Sequence, residues 1–161
     1  MLGMTIAQRR SLWTLGLLFG YYALDRWLPL GAWNGNAGFP VDNPQAGLDI
    51  IVLCVLVGLF AAVRYEVLPA MIAGTALLGV WCYFHLATWW WPYVRGVESA
   101  GELRFHEQLE NNIQLLPRWG RHIPPDGEHI AIDVLVFPAT ALALIATVVR
   151  ARRWLRRSHG A

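Results

Sequence analysis

The chain has 161 residues, of which 56% are hydrophobic and only 15% charged, with nine tryptophans and a net charge of +2; its mean hydropathy is +0.38. Length fits one domain, the composition is too apolar for an ordinary soluble one, and the near-neutral charge gives no footing for nucleic acid. Two cysteines, Cys54 and Cys82, form neither a disulfide framework nor a C-x-x-C relay and read as buried thiols.

Arg9 and Arg10 precede the first apolar stretch, 11–30, as basic residues precede a secretory signal. The apolar run is long for a signal core, and no small-residue cleavage site follows Leu30, so a retained helix is expected. Gly16 and Gly20 form a G-x-x-x-G pair that suits close helix packing, within the monomer or in a dimer. Residues 31–46 are rich in Gly, Asn and Pro, which turn chemistry explains. A second apolar stretch, 47–63, and a third, 68–90, are separated by little more than Arg64-Tyr65-Glu66, so the two must be antiparallel neighbours. Pro69 suits the first turn of the third helix, where its missing N–H costs nothing.

The segment 91–127 is long enough to carry structure. Over 98–116, Phe105, Leu109, Ile113 and Leu116 recur at helical spacing, with Glu102, His106 and Glu110 on another face. This predicts an amphipathic helix lying at the membrane interface and stopped by Pro117. Asp126, after Pro124 and Pro125, suits the N-cap of a fourth stretch, 128–149, which Pro138 should kink. Arg150, Arg152, Arg153, Arg156 and Arg157 follow as an anchor facing anionic lipid.

Each stretch approaches the ~20 residues needed to cross a hydrocarbon core. Ten of the eleven acidic residues lie before residue 50 or between 98 and 133, whereas eight of the thirteen arginines fall in the alternate segments. Since Arg and Lys favour cytoplasmic loops, both termini are expected inside and both long loops outside. The expected fold is all-α and integral to the membrane. It is a single four-span domain covering 1–161, a four-helix transmembrane bundle, N-in/C-in, with an interfacial helix in the second outer loop. A bacterial inner membrane is the expected location and lipid the first partner, with a membrane-protein partner or a homo-oligomer as a further one.

Every span then places an ionisable side chain in one outer layer: Asp25, Asp49, His85, and the pair His129 and Asp133. Ionised groups at such depth are costly and usually face a wet cavity or pair with one another. His129 and Asp133 are four residues apart, hence on one helix face. With His85 from a neighbouring helix they form an N/O ligand set suited to zinc, copper, iron or manganese. Asp25 and Asp49 are candidates for binding a small ligand or cofactor. His122 and Glu128 flank the start of the fourth span and are placed to close over the cavity. A plainer account pairs Asp133 with Arg26 and leaves the histidines in the interface.

No G-x-S-x-G elbow is present, and a chain without lysine has no Walker lysine. Catalysis, if any, must use the same layer, with a metal or with paired carboxylates. The leading expectation is a binding, transport or accessory protein with an outward-facing polar pocket. The competitors are an intramembrane enzyme using that pocket and a structural subunit of a larger membrane complex.

Overall fold

The computed structural model describes residues 4–34, 44–97, 99 and 112–158, with backbone only for Pro44, Gln45 and Ala46. Helix α1 spans Ile6–Trp27, α2 Pro44–Tyr65, α3 Leu68–His85, and α5 Gly127–Ser158; a five-residue π-helical turn, Leu86–Trp90, joins α3 to the short α4, Trp91–Arg95. No strand occurs among the described residues. Three helical stretches are long and apolar enough to cross a membrane: Gly47–Tyr65, Leu68–Arg95 and Gly127–Ser158. Helix α1 is as long as α2, but charged residues crowd both of its ends, Arg9 and Arg10 at one and Asp25 and Arg26 at the other.

The helices begin and end where local chemistry directs. Helix α1 starts five residues ahead of the expected span because Thr5 and Gln8 form a capping box. The Thr5 hydroxyl accepts from Gln8 N at 3.2 Å, and Thr5 N donates to Gln8 Oε1 at 2.8 Å. Pro69 sits in the first turn of α3, as its spacing predicts. Asp126 caps α5, accepting from His129 N at 2.9 Å. Helix α5 runs unbroken through Pro138 and continues to Ser158, well past the expected span.

Helix α1 packs against α2 and α5, and α3 against the same two, so the four long helices enclose a common core. Leu15, Leu18, Leu56, Leu59, Met71, Leu78, Ile132 and Val136 fill it. Ala139, Ala143 and Ala146 recur at helical spacing on α5 and let neighbouring backbones approach. The tightest approach is at Gly74, where an added Cβ would lie 2.9 Å from Leu59 Cδ1. The Gly16 and Gly20 pair makes no such contact: a Cβ at Gly16 would meet only Phe60 at 4.0 Å, and one at Gly20 would meet nothing. Large apolar side chains such as Leu17, Ile51, Val57, Ile72, Leu77 and Leu144 point away from the core, giving a surface suited to hydrocarbon.

The expected interfacial helix over 98–116 is corrected in part. Residues 112–116 are irregular, because Ile113 is drawn into two backbone bonds: its N–H donates to Ala32 O at 2.8 Å and its carbonyl accepts from Gly127 N at 2.7 Å. Residues 98 and 100–111, with Phe105, Leu109, Glu102, His106 and Glu110, lie outside the described residues.

Two ends of the molecule differ in polarity. At the end where α1 begins, Glu66 in the α2–α3 connection meets Gln8, Arg150 and Arg153. Gln8 Nε2 donates to Glu66 Oε1 at 2.7 Å, and Arg150 Nε lies 3.2 Å from Oε2. Glu66 holds a left-handed backbone, φ 57°, that favours glycine. The opposite end gathers Asp25, Asp49, His85, Asp126, Glu128, His129 and Asp133.

Candidate functional site

The π-helical turn sets the register of this second end. A π-turn holds one residue more than the α-helical repeat and re-aims the side chains that follow it. Here it brings Trp90 Nε1 to Asp133 Oδ2 at 2.6 Å, while His85 Nδ1 lies 2.6 Å from Asp133 Oδ1. Both carboxylate oxygens of Asp133 are therefore engaged, and the side chain is 3% exposed. Trp89 stacks on His129, ring centroids 3.6 Å apart.

His129 forms a second carboxylate pair, with Asp126 and not with Asp133. Its Nδ1 lies 2.7 Å from Asp126 Oδ1, and Asn112 Nδ2 donates to the other oxygen at 2.8 Å. Burial alone would raise the Asp126 carboxyl, but the hydrogen bonds from His129 and Asn112 outweigh it and hold that group below the usual carboxylate range. The two imidazoles are neighbours, 5.9 Å between centroids, and an edge-to-face run from Tyr22 through Trp81 leads to His85. Neither Nε2 makes a hydrogen bond within the described residues. A carboxylate accepting from Nδ1 fixes the tautomer in which Nε2 keeps its lone pair, ready for a proton or a metal.

Beside these pairs lies an arginine with three carboxylates around it. Arg26 Nη2 is 2.8 Å from Glu128 Oε1, and its Nε is 3.9 Å from Asp25 and 3.8 Å from Asp49. Asp49 also accepts from the Tyr22 hydroxyl at 2.6 Å. The Glu128 contact is close but poorly directed, and that oxygen has no well-formed hydrogen bond. Asp25 is fully buried and neither of its carboxylate oxygens has a hydrogen-bond partner. Among the described residues, five carboxylates of this layer meet one arginine and two imidazoles. Even with both imidazoles protonated, negative charge is left over, and buried charge of that kind calls for a proton or a cation.

The five residues singled out from the sequence all fall in this end, but not as one ligand set. His85 and Asp133 pair directly, His129 turns to Asp126, and Asp25 and Asp49 flank Arg26. Arg26 goes to Glu128, so the alternative pairing with Asp133 is not made. His122 is tied to the Tyr93 carbonyl at 3.0 Å. The group able to hold a metal ion is Asp126, Glu128 and His129, whose ligating atoms lie within 4.8 Å of one another. Its spacing was visible as an N-cap carboxylate with a histidine three residues on; the i, i+4 spacing to Asp133 drew attention instead. Trp89 and Trp90 left no such signal, because three consecutive tryptophans read as an interfacial belt.

Comparison with known proteins returns no matching family model, no matching curated protein and no matching solved structure.

Proposed function

We propose that the chain is a small four-span protein of a bacterial inner membrane, both termini cytoplasmic, holding a divalent transition metal or small polar ligand in an outward-facing pocket. It acts as a binding, transport or accessory component. The observation that carries this reading is the convergence of Asp126, Glu128 and His129 beside Asp25, whose buried carboxylate oxygens have no hydrogen-bond partner. One oxygen from each carboxylate and one imidazole nitrogen make a mixed N/O set, the donor type that zinc, iron, manganese and copper accept. The His85–Asp133 pair stands next to it, a second imidazole oriented by a carboxylate. The arginine-rich segments fall at the opposite end, which supports the orientation on electrostatic grounds.

The test is metal analysis of untagged protein, reconstituted with each of the four metals and then freed of excess. The intact chain should retain one equivalent of at least one metal, and His129→Ala and Glu128→Gln should each lower affinity about tenfold or more. Binding should weaken toward acid pH, since the ligands must be deprotonated. Equal retention by all three proteins, or none by any, removes the metal reading and favours a structural subunit of a larger complex. Retention together with turnover that Asp133→Asn abolishes would favour the enzyme.

A further inference from the structure

A second feature stands apart from the polar layer and is independent of it. At the arginine end, a groove of about 650 Å³ runs between α1 and α2, lined by Arg9, Leu12, Trp13, Gly16, Phe60 and Arg64 among others. On α1 the lining residues recur at positions i, i+3, i+4 and i+7, so they form one face. The opposite face, with Ser11, Leu15 and Leu18, is buried in the core. The groove is therefore a property of the outward surface of the helix pair.

Its two ends differ in chemistry. Arg9 and Arg64, from the start of α1 and the end of α2, both line the groove at its mouth, and neither takes part in an ion pair among the described residues; Arg64 lies over the Tyr65 ring. Nearby Arg150 and Arg153 are by contrast committed to Glu66. Away from the mouth the lining is apolar, and Gly16 leaves the floor open, since a side chain there would meet only Phe60, at 4.0 Å. From Arg9 to Leu17 the face extends about 12 Å along the axis at the α-helical rise. That is close to the ~15 Å depth of one hydrocarbon leaflet. A paired guanidinium mouth over an apolar trough of leaflet depth matches an amphiphile with an anionic head.

We propose that this groove binds an anionic glycerophospholipid, with its phosphate between Arg9 and Arg64 and one acyl chain along Leu12, Trp13, Gly16 and Phe60. Guanidinium groups suit phosphate oxygens through paired N–H donors. The single headgroup charge meets two cations, which selects it over a zwitterionic lipid of the same chains.

Native mass spectrometry of the full chain in detergent, titrated with phosphatidylglycerol or with phosphatidylcholine of matched chains, tests this. The intact protein should bind one phosphatidylglycerol about tenfold more tightly than phosphatidylcholine. Arg9→Gln with Arg64→Gln should abolish that preference. Arg118→Gln with Arg121→Gln removes the same charge from exposed positions in the segment before α5 and should leave the preference intact. Gly16→Leu fills the trough without touching charge and should weaken both lipids, with circular dichroism showing that the helices are retained. Equal affinity for the two lipids in the intact chain overturns the proposal, as does equal loss in the two arginine pairs. Self-association that excludes lipid would also overturn it and assign the groove to a second copy.

Discussion

Glu66 at one end and Asp25 at the other are both acidic residues at helix boundaries, yet their surroundings are opposites. Glu66 has a glutamine and two arginines to itself, is partly open to solvent, and even tolerates a left-handed backbone. Asp25 is shut away with two other carboxylates around a single guanidinium, and neither of its oxygens has a hydrogen bond. One end is a fastening, in which charge is matched and three segments of the chain are tied together. The other holds more carboxylates than it needs for fastening. A protein selected only to be stable gains nothing from such an excess, because uncompensated buried charge destabilises. The contrast makes the second end the place to test the proposed binding role.

The sharpest way to break the contrast is to remove Asp133. Asp133→Ala strands the His85 ring and the Trp90 N–H together in a buried site, and should cost about 2–4 kcal/mol. Asp133→Asn keeps an acceptor and should cost clearly less. Unfolding in detergent, followed by tryptophan fluorescence, measures both; equal losses would mean that the carboxylate charge, and not the retained acceptor or the side-chain volume, sets the cost.

A smaller effect should come from Asp126, which serves the fold as well as the candidate site. Asp126→Ala removes a helix N-cap and should cost about 1–2 kcal/mol, whereas Asp126→Asn should recover most of that. Its carboxyl is held low in the folded protein, so its contribution is fully present above the ordinary carboxylate value of ~3.9. It is lost as pH falls through the lower folded value. The difference in stability between the intact protein and Asp126→Asn should therefore hold steady from neutrality down to about pH 4 and shrink below it. A difference already gone by pH 5 would contradict the assignment.

The smallest effect is expected at the fastening. Glu66→Ala should cost about 1 kcal/mol, since its pairs are partly solvated. Glu66→Gly loses the same pairs but relieves the left-handed backbone, and should be less destabilising than the alanine variant. Thermal denaturation of the two in the same detergent decides; an alanine variant as stable as the glycine one would mean the backbone is not strained.

Much of this organisation is legible in the residues. Apolar runs mark α2, α3 and α5, the short link through Glu66 dictates their antiparallel hairpin, and Asp126 and Pro69 announce helix starts. Gathering His85, His129, Asp133, Asp25 and Asp49 at one end needs only helix direction and rise. Pairings within that end were beyond reach for a definite reason. Which carboxylate a histidine meets depends on rotation about the helix axis, and the π-helical turn alters that rotation without leaving any pattern in composition. Asp126 was recognised as a cap, yet a capping side chain folds back over the first turn, and that is what presents it to His129. Within the monomer Gly16 and Gly20 mark an open surface, while the tight approach falls at Gly74, where no partner glycine advertises it.

The π-helical turn at Leu86–Trp90 has a consequence for how this polypeptide tolerates changes in length. Losing one residue there would let α3 run on as an uninterrupted α-helix, with little cost to its backbone bonds. Everything beyond the lost residue would keep its direction, because the turn already holds one residue more than the α-helical repeat. A residue lost from the regular part of α3 has no such slack: every later side chain would swing by about 100° around the axis. His85, Trp89 and Trp90 would then be carried away from Asp133 and His129, so the same shortening is mild in one turn of the helix and destructive in the next.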